Sequence, residues 1–170
     1  DYKLTSVRGV CGPLMAVYVL CYLLMHERRV LSRAASQQMH RWDQSPPGSV
    51  AGKTLCIVGL GDIGRAIAKQ CGNLGMRVVG VSRSGGAVAD IDEVTDLRGL
   101  KPALGMSDYI VAVLPDTPET LHLLDASAIQ ACKPGAYFIN VGRGNSVDEA
   151  ALAAACRSGH LAGAARRFED

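Results

Sequence analysis

The segment between Thr54 and Arg65 constrains the fold of this chain more than any other part of its sequence. An apolar run suited to a buried strand leads into Gly59, Gly61 and Gly64, spaced as G-x-G-x-x-G, and a run of helical character follows at once. This order is typical of a dinucleotide-binding βαβ unit. The first glycine permits a tight turn, the second lets the backbone approach a diphosphate, and the third lets the helix close on the strand. We therefore predict that a diphosphate binds at the amino end of this helix.

The remainder of the chain after residue 50 alternates strand-like and helix-like runs. This alternation predicts a parallel sheet covered by helices on both faces, an α/β fold of the Rossmann-type, doubly wound kind. We assign residues 1–49 to a leading helix and linker, and residues 50–170 to one compact dinucleotide-binding domain. The predicted strands are Thr54–Val58, Arg77–Val81, Tyr109–Val113, Ala136–Val141 and Leu161–Ala165. The predicted helices are Asp62–Leu74, Asp96–Leu104, Asp125–Cys132 and Asp148–Ser158.

The leading segment is unusually apolar. Nearly every residue from Val10 to Met25 is apolar, but this run is shorter than the roughly 20 residues that span a bilayer. Its helical composition continues to Met39, and no signal-peptide cleavage site follows it. We predict one long helix, with Pro13 in its first turn, that buries an apolar face against protein and not in a membrane. A linker rich in turn-forming residues, Arg41–Gly48, comes after it.

Composition narrows the function classes. The chain has 170 residues and a net charge of +2, with acidic and basic residues mixed. Because no basic stripe with interleaved aromatics is present, we expect no nucleic-acid partner. The cysteines form no C-x-x-C pair and lie apart from the histidines, so we expect no metal site and interpret them as reduced, buried thiols of a cytoplasmic protein. They are Cys11, Cys21, Cys56, Cys71, Cys132 and Cys156.

The end of the second predicted strand bears on the choice of cofactor. NAD sites usually carry an acidic residue about 20 positions after the glycines, where it binds the adenosine ribose hydroxyls. Here Ser82 takes that place, followed by Arg83 and Ser84. A hydroxyl and a guanidinium offer charge-assisted hydrogen bonds to a 2′-phosphate, which a carboxylate would repel. We favour NADP over NAD, the alternative being that these residues form only a polar turn.

Three further blocks follow the glycine loop in order: LPDTPET at 114–120, KPGAYFINVGRG at 133–144 and VDEAAL at 147–152. With these blocks, the chain resembles the nucleotide-binding domain of the D-isomer-specific 2-hydroxyacid dehydrogenases, which include phosphoglycerate dehydrogenases and glyoxylate/hydroxypyruvate reductases. The resemblance runs from Arg8 to Ala165. It implies an NAD(P)-dependent oxidoreductase that transfers a hydride between nicotinamide and a small 2-oxo or 2-hydroxy acid.

The resemblance also implies roles for single residues. Arg143 matches the catalytic arginine of the family, which binds the carboxylate of the oxo acid and polarises its carbonyl. The block at 114–120 lines the cofactor, and Thr120 approaches its nicotinamide side. The cofactor-binding residues predicted from the motifs and the resemblance together are Gly59, Gly61, Asp62, Ile63, Gly64, Ser82, Arg83, Ser84, Leu114, Pro115, Thr120, Val141, Gly142 and Arg143.

The sequence departs from the family pattern at its end. Members usually continue Gly-Ala-Ala with Leu-Asp-Val-Phe, but Arg166–Asp170 stand here, and we expect this end to be frayed or exposed. The resemblance places the family's catalytic glutamate and histidine beyond residue 170, and its substrate domain is absent from this chain. We interpret the four histidines as structural. We therefore expect a truncated cofactor domain that is weakly active or inactive alone and homodimeric through the leading helix.

Two other interpretations remain open. One is a non-catalytic dinucleotide-binding module, such as a sensor or a co-repressor-like relative, or a degenerate remnant of an enzyme. The other is a methyltransferase-like α/β domain whose glycine loop binds S-adenosylmethionine. The second leaves the blocks at 114–120 and 140–144 unexplained, so we rank it last.

Overall fold

The computed structural model describes residues 9–167, which form a six-stranded, fully parallel sheet with helices on both faces. The strands lie in the order β3-β2-β1-β4-β5-β6, so the chain starts in the middle of the sheet and winds outward in both directions. The predicted doubly wound α/β fold is therefore confirmed. The strands are β1 Thr54–Val58, β2 Arg77–Val81, β3 Glu93–Thr95, β4 Tyr109–Ala112, β5 Tyr137–Asn140 and β6 Gly163–Arg166.

Six α-helices and two short 3-10 turns complete the described part of the chain. The predicted helices after residue 50 are confirmed within a few residues, and three of them begin just after an aspartate cap: the side chains of Asp96, Asp125 and Asp148 each accept a backbone N–H from the first turn. The helices are α1 Cys11–Glu27, α2 Val30–Gln38, α3 Asp62–Asn73, α4 Leu100–Met106, α5 Ala126–Gln130 and α6 Glu149–Arg157, with 3-10 turns at Leu97–Gly99 and Gly144–Ser146.

The sheet separates two apolar cores. Alternate residues of β1 point to opposite faces, so Leu55 and Ile57 contact one core and Cys56 and Val58 the other. The first core is closed by α1 and α3, and the second by α4, α5 and α6. The leading helix is therefore part of the domain's packing, and Pro13 lies in its first turn as predicted.

The prediction of one long leading helix is wrong, because the helix breaks between α1 and α2. Arg29 adopts a left-handed conformation with φ of 53°. The carbonyl of Glu27 accepts a hydrogen bond from the backbone N–H of Gly48 at 3.0 Å, a bond that comes from the linker and not from the next helical turn. The Glu27 side chain is buried, where it accepts the Tyr109 hydroxyl and pairs with Lys53 Nζ at 2.7 Å. The hydrogen bond from Gly48 therefore joins the linker to the end of α1.

Two other predictions concern the cysteines and the end of the chain. All six cysteines are free, but Cys11 and Cys21 are exposed, so the expectation of buried thiols is wrong for those two. The side chains of Arg166 and Arg167 are exposed as expected, although β6 continues through Arg166 because it is an edge strand with room for a charged residue. Phe168, Glu169 and Asp170 lie outside the described residues.

Within residues 9–167, none of the helices is long and apolar enough to cross a membrane.

Candidate functional site

Three loops meet where β1, β4 and β5 end at the carboxyl edge of the sheet. The strands are in register there, with Val58 paired to Ala112 and Ala112 paired to Asn140. Each strand then leads into one of the predicted motifs, at residues 59–64, 113–120 and 141–147. Ligands of open α/β sheets bind at this edge.

The three glycines of the loop differ in whether the structure requires a residue without a side chain. Gly59 has φ of +106°, and an added Cβ would overlap the carbonyl oxygen of Val113. At Gly64 a Cβ would overlap the Gly59 carbonyl oxygen, so this residue allows α3 to pack on the strand. Gly61 differs, because its φ of −70° suits any residue and no atom of residues 9–167 lies within 4 Å of an added Cβ. Neither backbone strain nor protein packing requires glycine at this position.

Gly61 opens onto a cleft of about 700 Å³. Residues at the amino end of α3 line it, and no side chain of the described residues caps the first turn of this helix. The carboxylate of Asp62 accepts the backbone N–H of Gly9 at 2.9 Å. The cleft is lined by Gly9, Cys11, Gly61, Asp62, Ile63, Val113, Leu114, Pro115, Asp116, Val141, Gly142 and Arg143.

Arg143 lies at the far wall of the same cleft. Its exposed side chain extends from a rigid backbone, because its N–H donates to the Leu114 carbonyl at 3.2 Å and its own carbonyl accepts the Ser146 hydroxyl at 2.8 Å. Gly142 allows this approach: an added Cβ would lie 2.6 Å from the backbone N and O of Leu114. The structure thus brings Arg143 and the glycine loop to one opening.

Sequence reasoning missed the residue that shapes this turn, Asn140. Its side chain is 4% exposed, and both ends of the amide are used: Oδ1 accepts the Gly142 N–H at 2.9 Å and Nδ2 donates to the Arg143 carbonyl at 3.3 Å. An asparagine at the end of a buried strand is the signal that could have identified it, because a buried amide needs partners for both ends. Ser146 is fully buried and holds the same turn, because its hydroxyl also donates to the Arg143 carbonyl.

A second, smaller pocket of about 170 Å³ lies beside the glycine loop. Ser82 and Arg83 line it from the end of β2, with Glu119 and Thr120 on the loop after β4. Ser82 is fixed by its N–H, which donates to Thr95, and by its Oγ, which accepts the Gly85 N–H at 3.1 Å. The third predicted residue of this turn, Ser84, is exposed next to the pocket and not among its lining residues.

The structure places Thr120 on the loop that follows β4. It lines the pocket with Ser82 and Arg83, not the cleft that contains Arg143. Its hydroxyl donates to the Pro115 carbonyl at 2.6 Å and accepts the Thr117 N–H at 3.1 Å, so it holds the loop in shape.

None of the four histidines, all of which are within the described range, lines the cleft. His26 stacks between Tyr109 and Tyr137 with ring centroids 5.9 and 4.6 Å away. Both tyrosines begin their strands, so His26 is at the sheet edge opposite to Arg143. Burial lowers its pKa. The others are His40, His122 and His160, and residues 9–167 contain no cluster of His, Cys, Asp or Glu that could hold a metal ion.

Comparison with known proteins decides which family this site belongs to. The profile of the D-isomer specific 2-hydroxyacid dehydrogenase NAD binding domain matches residues 20–166. The chain belongs to this family. The resemblance drawn from its sequence blocks is therefore confirmed.

Relatives with known names agree with the family. D-3-phosphoglycerate dehydrogenase of Mycobacterium leprae is 35% identical over 148 residues, which are 86% of this chain but only 28% of that protein. A crystal structure of a family protein from Aeromonas salmonicida matches with a TM-score of 0.93 and 45% identity, over 100% of this chain and 55% of that one. A Xanthobacter autotrophicus dehydrogenase, solved in complex with NADPH and MES, matches with a TM-score of 0.88 and 36% identity, over 99% and 72%. The chain therefore spans only the nucleotide-binding part of these dehydrogenases.

Proposed function

We propose that this chain binds NADP(H) across the carboxyl edge of its sheet and forms the cofactor half of a D-2-hydroxyacid dehydrogenase. The observation that carries the proposal is Gly61, whose missing side chain leaves open space above the uncapped amides of α3, in the same cleft as Arg143. A diphosphate fits this place because helix amides and the helix dipole favour an anion. Asp62 and Ile63 would present their backbone N–H groups to it.

The chemistry follows from what the cleft residues can do. When bound, the nicotinamide supplies or accepts the hydride in the reaction between a small 2-oxo acid and its 2-hydroxy acid. Arg143 would hold the substrate carboxylate with its planar guanidinium, which stays charged throughout. The same cation lowers the barrier as negative charge grows on the carbonyl oxygen. Its backbone bonds to Leu114 and Ser146 fix the point from which it reaches the substrate.

The preference for NADP rests on the smaller pocket. Ser82 and Arg83 line it without a carboxylate at the end of β2, and Ser84 follows them in the same exposed turn. The NADPH complex of the Xanthobacter relative agrees with such a preference. NAD is the alternative cofactor, bound through the same diphosphate site.

Titration of the chain with NADPH and with NADH tests this preference. We expect the parent chain to bind NADPH more tightly, and Arg83→Asp to lose that preference because a carboxylate repels the 2′-phosphate. Arg157→Asp is the matched control, since it makes the same charge change on α6, outside both pockets. Equal affinities for both nucleotides in the parent would refute the NADP assignment, and binding of neither would refute the cofactor site.

The catalytic power of the isolated chain is a separate proposal. A general acid is needed beside the carbonyl, and no histidine lines the cleft among the described residues. We expect little or no NADPH-dependent reduction of glyoxylate, hydroxypyruvate or pyruvate by this chain alone. Turnover at ordinary enzymatic rates would contradict this. The same observation favours the second candidate, a non-catalytic dinucleotide-binding module, which would bind NADPH equally well.

We propose that the chain forms a homodimer through α1. Exposed apolar residues at the start of this helix and along it are separated by four, three and seven residues, the spacing of a helix–helix seam. They are Val10 at 61%, Leu14 at 65%, Val17 at 65% and Leu24 at 41% exposure. Sedimentation should show a dimer that Leu14→Glu dissociates and Leu121→Glu, a control at another exposed leucine, does not. A folded parent monomer at micromolar concentration would contradict the proposal.

Two expectations from composition complete the proposal. The free cysteines agree with a reducing, cytoplasmic location. We expect no nucleic-acid partner and no membrane association, because the charge pattern offers no basic surface of the kind that nucleic acids bind.

A further inference from the structure

Two opposite charges face the small pocket beside the glycine loop. Arg83 enters from the end of β2, and Glu119 enters from the loop that follows β4. The two residues are far apart in sequence, and the sheet order β2-β1-β4 brings their loops to the same opening. Leu97 is among the apolar residues that line the same pocket. Of these two charged residues, only Arg83 was predicted from the sequence to contact the cofactor.

Glu119 is held in place by the turn that carries it. The N–H groups of Thr120 and Leu121 donate to the Thr117 carbonyl at 3.0 and 3.1 Å. Hydrogen bonds from the backbone N–H of Glu119 and from the Thr117 hydroxyl lower the pKa of its carboxyl group, and the positive charge of Arg83 adds to this. The carboxylate is therefore ionised at neutral pH, on a residue that lines the pocket.

We propose that Glu119 sets how strongly this pocket distinguishes a ribose with a 2′-phosphate from one with a free 2′-hydroxyl. The proposal rests on the proposed cofactor site. A ribose phosphate carries a charge of about −1.5 to −2 at neutral pH. The carboxylate repels that charge and so offsets the attraction of Arg83, whereas a neutral 2′-hydroxyl can donate a hydrogen bond to it. Glu119 thus moderates the preference that Arg83 creates.

Glu119→Gln tests this role, because it removes the charge from an exposed side chain and keeps its shape. The affinities for NADPH and NADH are measured by titration, together with those for 2′,5′-ADP and 5′-AMP, which isolate the phosphate. At low ionic strength we expect the preference for the 2′-phosphate to rise about threefold or more, and the increase to shrink in about 0.5 M salt, where charges beyond a few ångströms are screened.

Two variants serve as controls. Glu119→Asp keeps the charge and should stay near the parent. Glu93→Gln removes an equal charge at the start of β3, outside the pocket, and should leave the preference unchanged. A thermal melt of each variant confirms that it is folded.

The outcomes separate this inference from the proposed function. If the parent binds nucleotide but Glu119→Gln leaves the preference unchanged, or Glu93→Gln raises it equally, the inference is overturned and the cofactor site stands. If the parent binds none of the four nucleotides, both fall. A raised preference in Glu119→Gln alone, reduced by salt, supports the inference.

Discussion

Replacing Gly61 with alanine should abolish nucleotide binding and leave the fold intact. The backbone at Gly61, with φ of −70°, is one that alanine adopts without strain, and an added Cβ meets no atom within 4 Å in the described part of the chain. The loss in free energy of unfolding should be about 1 kcal/mol or less, the usual difference between glycine and alanine at a helix amino cap. The methyl group would instead occupy the space that we assign to the diphosphate.

The expected loss of binding is much larger than the loss of stability. A diphosphate kept away from the α3 amides loses at least two hydrogen bonds to a charged group, each worth about 1.5–3 kcal/mol. Together these correspond to about 3–6 kcal/mol, or roughly a hundredfold to ten-thousandfold in the dissociation constant.

Gly64→Ala is the matched variant with the opposite expectation. Its Cβ would overlap the Gly59 carbonyl oxygen, well inside the 3.0 Å that real Cβ contacts keep, and both partners are backbone. The loop or the helix must shift, so the free energy of unfolding should fall by about 3 kcal/mol.

Urea unfolding and NADPH titration of the two variants check these numbers. Gly61→Ala should unfold like the parent and fail to bind, whereas Gly64→Ala should be clearly destabilised. The reasoning is refuted if Gly61→Ala binds NADPH as the parent does, because the open space over α3 would then not be where the diphosphate lies.

Two further predictions concern the core. Glu27→Gln should lower the free energy of unfolding by about 1–2 kcal/mol, because the buried Glu27 loses its ion pair with the partly exposed Lys53. Tyr109→Phe should cost about 1 kcal/mol for one lost hydrogen bond. Equal stability of Glu27→Gln and parent in urea would contradict the first of these. Thiol labelling of the native chain at pH 8 should modify the exposed cysteines rapidly and spare the buried ones. Burial raises the pKa of Cys56 and of Cys71 to about 12, so these thiols stay protonated and unreactive. Rapid labelling of more than the exposed and half-buried thiols would contradict this, because it would show that the core opens.

Much of the fold could be predicted because local signals agree with tertiary ones. The bounds of β1 and β2 follow from apolar runs ended by glycine or polar residues, and aspartate caps mark the helix starts. β3, Glu93–Thr95, was missed because it has three residues, none buried, and forms only by pairing with β2. A strand so short carries no pattern of its own.

The break after α1 could not be predicted for a related reason. Neither glycine nor proline occurs near Arg29. Where the helix ends, the carbonyl of Glu27 accepts a hydrogen bond from the backbone N–H of Gly48 in the linker. Such a long-range hydrogen bond leaves no local trace in sequence. At the site, the hydrogen bonds that the Thr120 hydroxyl makes within its own loop likewise could not be predicted from its motif.

A crystal structure of this chain with NADPH would test the central claim most directly. We predict that diphosphate oxygens lie within about 3 Å of the backbone N–H groups of Asp62 and Ile63, over Gly61, with the 2′-phosphate at Ser82 and Arg83. A nucleotide bound elsewhere, or with its diphosphate away from the amino end of α3, would contradict the account.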